Sequence, residues 1–251
     1  MLGTAIRKDE RATRPRALEI LSRPHPTVRS ESIISVSQSR TAIWMAGAYL
    51  GSLIIVGTTL AIFGTSQGAI RLCLQATARW SYCFFLPAYA GGALAMLFGP
   101  TFRPVARRAR DLGLAFASAH LTHACLVAWL YYISPTPPVS TRAAIFFGTA
   151  LIVTYLLALF SIPSLAAKLP SRAWWVIRTF GMEFIAFAFL YDFAYTRFLD
   201  TPSHIAAYMP FVALGSGAAL VRIAAYVKKG YSKRVQPTPL PVNATSTLAD
   251  Q

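Results

Sequence analysis

The chain is short of charge, and of negative charge above all. Of its 251 residues only 13% are charged, with 9 Asp and Glu set against 24 Lys and Arg, whereas a soluble domain carries about a quarter charged residues. With 55% of the residues apolar, a single water-solvated globule is excluded, because too little polar surface remains to cover one core. Cysteine is also scarce. Cys73, Cys83 and Cys125 form no CxxC and no Cys/His cluster, which excludes a disulfide framework and a zinc site. Histidine is confined to His25, His120, His123 and His204. The chain lacks a phosphate-cradling glycine loop, a GxGxxG after a strand and a nucleophile with an adjacent base, so an enzyme with a self-contained catalytic constellation is not supported. No internal repeat recurs.

What is present is six long apolar runs. A bilayer-spanning helix needs roughly 20 mostly apolar residues. The runs Ile43 to Phe63, Trp80 to Phe98, Leu112 to Tyr132, Ala144 to Leu165, Trp174 to Tyr195 and Ile205 to Val227 meet that length. Turn chemistry separates them: Gly64 to Gln67, Gly99-Pro100, Ser134 to Pro138, Pro163 with Pro170, and Thr201-Pro202-Ser203. The pattern predicts an all-α integral membrane protein, a bundle of six transmembrane helices over residues 42–228 joined by short loops. Residues 1–41 and 229–251 read as disordered basic tails. The first apolar run starts too late and is too long for a secretory signal peptide, and four acidic residues in the amino tail argue against a mitochondrial presequence.

Basic residues gather on alternate connections. The amino tail, the loop with Arg103, Arg107, Arg108 and Arg110, the loop with Lys168 and Arg172, and the carboxyl end with Arg222, Lys228, Lys229, Lys233 and Arg234 lie on one side, leaving Arg71, Arg79, Arg142 and Arg197 for the other. By the positive-inside rule both termini are expected in the cytoplasm. The bilayer is then the partner of the basic surface, and nucleic acid is not, since the arginines flank apolar spans. Trp44, Trp80, Trp129, Trp174 and Trp175 fit an interfacial aromatic belt. Gly47 with Gly51, and Ala213 with Gly217, fit close helix contacts.

Ionisable groups at membrane depth cost about 2.5–3.5 kcal/mol each near the centre, so each needs a partner or a purpose. His120 and Glu183 both fall about 12–14 Å from the cytoplasmic ends of the third and fifth spans, and are expected to pair. His123 lies one turn deeper on nearly the same face of the third span and is a candidate iron ligand. Asp192 faces away from Glu183, near the outer boundary, so the two carboxylates form no acid/base dyad. Together with Arg178, the residues His120, Glu183 and Asp192 are read as a buried polar network. Two histidines three apart on one helix cannot clamp both faces of a heme; Met182 or Tyr191 on the fifth span are the candidate second ligands.

Ala78-Arg79-Trp80, Arg107-Arg108-Ala109-Arg110-Asp111-Leu112-Gly113-Leu114, His123 within His120-Leu121-Thr122-His123-Ala124, Phe160-Ser161-Ile162 and Trp174 follow one another in an order that resembles the ferric-reductase-like transmembrane domain, in particular the YedZ/MsrQ family of heme-binding membrane subunits. The resemblance runs from Arg79 to about Tyr226. It implies a six-helix scaffold in the bacterial inner membrane, heme b with His123 as a ligand, and electron transfer to a periplasmic or membrane redox partner. The positions of the family's two histidines on the fifth span are held by Arg178 and Tyr191. Three functional readings follow: a non-catalytic membrane subunit or scaffold on a degenerate bundle of this kind; a heme b electron-transfer subunit using His123, with His120 beside it; and a small transporter with Arg178, Glu183 and Asp192 around a path. The first is preferred, because the helix-five histidines are missing.

Overall fold

A computed structural model describes residues 26–194 and 202–235, with side chains from Ser39 to Tyr231 apart from positions 163 and 195–204. Calls on His25 and on the side chain of His204 lie outside them. The described residues are helical and form no strand: α1 (Pro26–Phe63), α2 (Gln67–Phe98), a 3-10 turn at Gly99–Phe102, α3 (Arg103–Arg107), α4 (Ala109–Ile133), α5 (Thr141–Phe160), the short α6 (Pro163–Ala166), α7 (Ser171–Ala194) and α8 (Pro202–Val235). The described residues divide at Ala42 and Ile43 into two units, and the cavities described below lie in the second. Six helices, all but the two short ones, are long and apolar enough to cross a membrane.

Four of the five predicted breaks are where the backbone turns; of the fifth, Thr201 lies outside the described residues and Pro202 and Ser203 open α8. Gly64 takes φ 72° after α1 and its N–H donates to the Leu60 carbonyl, the left-handed stop that glycine makes without steric cost. Ser66 then caps α2, its hydroxyl accepting from the Ala69 N–H at 3.2 Å, and Ser140 does the same for α5 at Ala143. Gly99, with φ 79°, ends α2. The bundle has two ends. At the distal end α1 turns into α2 and α4 stops, as the bond from Gln67 Nε2 to the Ile133 carbonyl shows. At the proximal end α4 begins and α5 stops, tied by Arg110 Nε donating to the Ser161 carbonyl.

The structure corrects several boundaries. α1 begins at Pro26, within the stretch expected to lack regular structure, and α8 runs to Val235, into the expected carboxyl tail. α2 begins at Gln67 and not at Trp80, because Ser66 supplies the cap and Ala69, Ile70 and Cys73 are buried against α4. Arg71 and Arg79 are therefore helical residues, not loop charges. α5 stops at Phe160, short of Leu165, with Pro163 opening α6.

Helix contacts inside a bilayer gain nothing from expelling water and depend on close packing and hydrogen bonds. The bundle shows both. Trp80 is not a belt residue: its Nε1 donates to the Ala48 carbonyl at 2.9 Å and its ring lies over Gly51, where a Cβ would sit 2.5 Å from the ring. Ser52 and Ser118 cross between α1 and α4, to the carbonyls of Ala119 and Met45. Of the expected glycine contacts only Gly51 is close. Gly47 and Gly217 meet nothing within 4 Å, while Gly215 abuts Tyr82 and Leu190, and Gly181 abuts Leu157 and Val153. The centre is aromatic, with Tyr82, Phe85, Tyr89, Phe116, Phe189 and Phe193 in one cluster. Ile54, Ile145, Ile152, Phe180 and Leu220 are turned outward, an apolar exterior of the kind that suits a membrane-crossing bundle.

A candidate ligand cavity walled by two histidines

Between α2, α4, α5 and α7, in the distal half, the bundle encloses a cavity of about 560 Å³. α4 supplies one wall with His120 and His123, whose rings stack at 4.8 Å and 17°. Their spacing of three residues puts them on one helix face, as the sequence implied. Each is held from behind by α2. His120 Nδ1 lies 3.2 Å from Ser81 Oγ, and His123 Nδ1 lies 3.2 Å from Thr77 Oγ1.

These contacts allow the same tautomer in both rings. The Thr77 hydroxyl donates to the Cys73 carbonyl at 2.8 Å and the Ser81 hydroxyl to the Ala78 carbonyl at 3.0 Å. A hydroxyl has one proton; when it is given to the helix backbone, each oxygen accepts from the imidazole, which then donates from Nδ1. A neutral ring then carries a bare Nε2 lone pair. In that tautomer both rings present an Nε2 lone pair, and both histidines line one wall of the cavity. An Nδ1–H held by an outer partner is also how proteins orient a histidine for a metal or a ligand proton.

The facing wall is mainly apolar. From α5 and α7 it is built of Phe147, Ala150, Leu151, Ile185, Ala188 and Phe189, and Phe189 stands edge-on to His120 at 5.9 Å. Polar character returns towards the distal end, where Arg71, Gln75 and Asp192 line the same cavity. Asp192 is thus brought to the histidines and kept from Glu183, as expected from their spacing on α7.

A second cavity of about 350 Å³ lies in the proximal half, lined by Arg110, Trp174, Arg178 and Met182. Phe116, Thr154 and Ile185 line both cavities and form the septum between them. Arg178 therefore belongs to a different cavity from the histidines.

The expected pairing of His120 with Glu183 is overturned. Glu183 points to the α2/α8 side, where Tyr89 Oη donates to its Oε2 at 2.5 Å and Arg222 Nε to its Oε1 at 2.8 Å. Arg222 also donates to the Tyr89 carbonyl and to Tyr226 Oη, and lies 4.3 Å from the centre of the Tyr89 ring. His120, Glu183, Asp192 and Arg178 do not form one buried network: the first and third share the distal cavity, the second is in an ion pair with Arg222, and the fourth is proximal. The physical reason is the helical turn. Glu183 and His120 match in depth, but Glu183 is rotated towards α8, whose Arg222 offers a charge where an imidazole offers only a dipole.

Sequence reasoning missed Arg222, counted as a tail charge, and missed Thr77 and Ser81. A signal for the latter existed: hydroxyls spaced i, i+4 on one helix and imidazoles spaced i, i+3 on its antiparallel neighbour.

Heme, the cofactor implied by the resemblance, can be tested against these residues. His123 or His120 would hold iron from one side through Nε2, and the apolar walls suit a porphyrin. Neither expected second ligand stands opposite: Met182 lines the proximal cavity and Tyr191 packs its ring among Phe146, Phe147 and Phe187. The residues fit a heme ligated on one face and do not fit ligation between α4 and α7. Among the described residues no group of three His, Cys, Asp or Glu is placed to hold a metal ion. No family model, curated protein or solved structure matches the chain.

Proposed function

We propose that this protein is a non-catalytic, multi-pass membrane subunit on a ferric-reductase-like bundle, and that it holds a small apolar molecule in its distal cavity. The observation that carries this is the wall of two imidazoles, each hydrogen-bonded through Nδ1 to a hydroxyl of α2, in about 560 Å³ of mainly apolar space; with Nδ1 protonated, Nε2 is the acceptor. The ligand has an apolar body and an O–H or N–H donor reaching Nε2, because a donor is what a bare imidazole nitrogen recognises. Both termini are cytoplasmic in this proposal, in a bacterial inner membrane. Arg71 and Arg79 lie in α2 and not in a distal loop, which leaves the distal connections poorer in positive charge and supports that orientation. The distal cavity then lies in the outer leaflet half, where a periplasmic or membrane partner has access to it.

The test is native mass spectrometry of the full chain extracted in nonionic detergent. Wild type should retain a small molecule that His120→Ala/His123→Ala loses, while both proteins keep the same helical circular dichroism. Wild type with no retained mass, or a double variant that retains the same mass, would overturn the proposal.

A second reading is favoured by the Nδ1–H arrangement: the retained molecule is heme b on His123. The group would supply a one-electron redox centre. Oxidised and reduced spectra decide it, with a Soret band lost in His123→Ala as the supporting result and a colourless protein from heme-replete cells as the contrary one.

A further inference from the structure

The proximal cavity has no part in that proposal, and its charge is unbalanced. Its lining includes two arginines, Arg110 and Arg178, and no carboxylate. Arg110 lies in the first turn of α4 and is anchored, with Nε on the Ser161 carbonyl at 3.0 Å, while lining the cavity. Arg178 lies seven residues into α7, about 10 Å along the helix. The acid nearest in sequence, Glu183, is paired with Arg222 on another side of α7. A guanidinium at that depth needs an anion or a route to the interface. The rest of the lining is mainly apolar, with Phe85, Leu157, Met182, Ile185 and Trp174.

We propose that this cavity seats the phosphate of an anionic phospholipid, clamped by Arg178 and Arg110, with an acyl chain along the Leu157 and Met182 side. Arginine is the side chain suited to such a group, since its planar donors pair two phosphate oxygens at once. The apolar floor is what favours a lipid over free phosphate, which would gain nothing from it. A phosphate at Arg178 also explains why an arginine is tolerated on a spanning helix beside a cavity whose lining holds no carboxylate.

The experiment uses the full chain in nonionic detergent, with native mass spectrometry as the readout. The probes are phosphatidylglycerol, phosphatidylcholine of the same chains, and inorganic phosphate. Wild type should retain phosphatidylglycerol at least tenfold better than phosphatidylcholine. R178Q should lose that preference, R110Q should weaken it, and R178K should keep part of it. His123→Ala should retain it in full, so failure here and failure of the distal-cavity proposal are separable. Melting of lipid-free R178Q close to wild type establishes that the loss is one of binding. Equal retention of the two lipids, an unaltered preference in R178Q, or saturation by inorganic phosphate at the concentration that saturates with phosphatidylglycerol would each overturn the proposal.

Discussion

Replacing Glu183 by Gln should loosen three helices at once. The carboxylate accepts from Tyr89 on α2 and from Arg222 on α8, with a closest Arg222 approach of 2.7 Å, and it stands twelve residues into α7, about 18 Å along it. Solvated pairs are worth about 0–1 kcal/mol, and breaking a fully buried pair costs about 3–5 kcal/mol. Here the Glu183 side chain is 40% exposed and that of Arg222 is 16% exposed, so the discount for exposure places the loss at about 2 kcal/mol, within the range for hydrogen bonds to charged groups. For a chain of this size that is a fall in Tm of about 4–8 °C. Arg222→Gln should cost a similar amount. Glu183→Gln/Arg222→Gln should cost less than the two single changes together, by about 1 kcal/mol or more, because the second change removes a partner already lost. Thermal melting in detergent, followed by tryptophan fluorescence, measures all three. Additive single changes, or melting shifts within about 1 °C of wild type, would refute the cluster as a helix tie.

Two further predictions rest on packing. Gly215→Ala places a methyl against Tyr82 Oη and Leu190 and should destabilise by about 1–3 kcal/mol, whereas Gly217→Ala, with nothing within 4 Å, should stay within about 0.5 kcal/mol of wild type; the two melting curves check the assignment of the close contact. Trp80→Phe removes the donor to the Ala48 carbonyl and should cost about 1 kcal/mol, seen as a lower Tm without loss of helical content.

The existence and type of the six helices were legible because each needs only one local property, a long apolar run closed by turn residues. Their ends were less so. Gln67 to Ala78 contains Arg71 and Gln75 and reads as too polar for a span, yet Ser66 caps it and the buried Ile70 and Cys73 hold it against α4. Depth along a helix was legible too, which is why His120 and His123 fall together and Asp192 falls apart from Glu183. Rotation was not. Depth alone allowed Glu183 to meet either α4 or α8, and only the tertiary arrangement, which turns it to Arg222, decides between them. The glycines show the same limit: Gly217 and Gly215 are two residues apart and indistinguishable by composition, and helix rotation alone puts one against Tyr82.

The central claim is that a ligand cavity opens from the outer half of a six-span bundle, between α4, α5 and α7. Gly148 lines that cavity with open space around its Cα, so Gly148→Cys fits there, while Ile152, one turn on, is 62% exposed on the outward-facing side of α5. The most direct measurement is labelling of each single cysteine, in a chain with Cys73, Cys83 and Cys125 replaced, by a membrane-impermeant thiol reagent added outside intact cells. The account predicts that Gly148→Cys reacts and Ile152→Cys does not. Labelling of Gly148→Cys only from the cytoplasmic side, or at the same rate as Ile152→Cys, would contradict it.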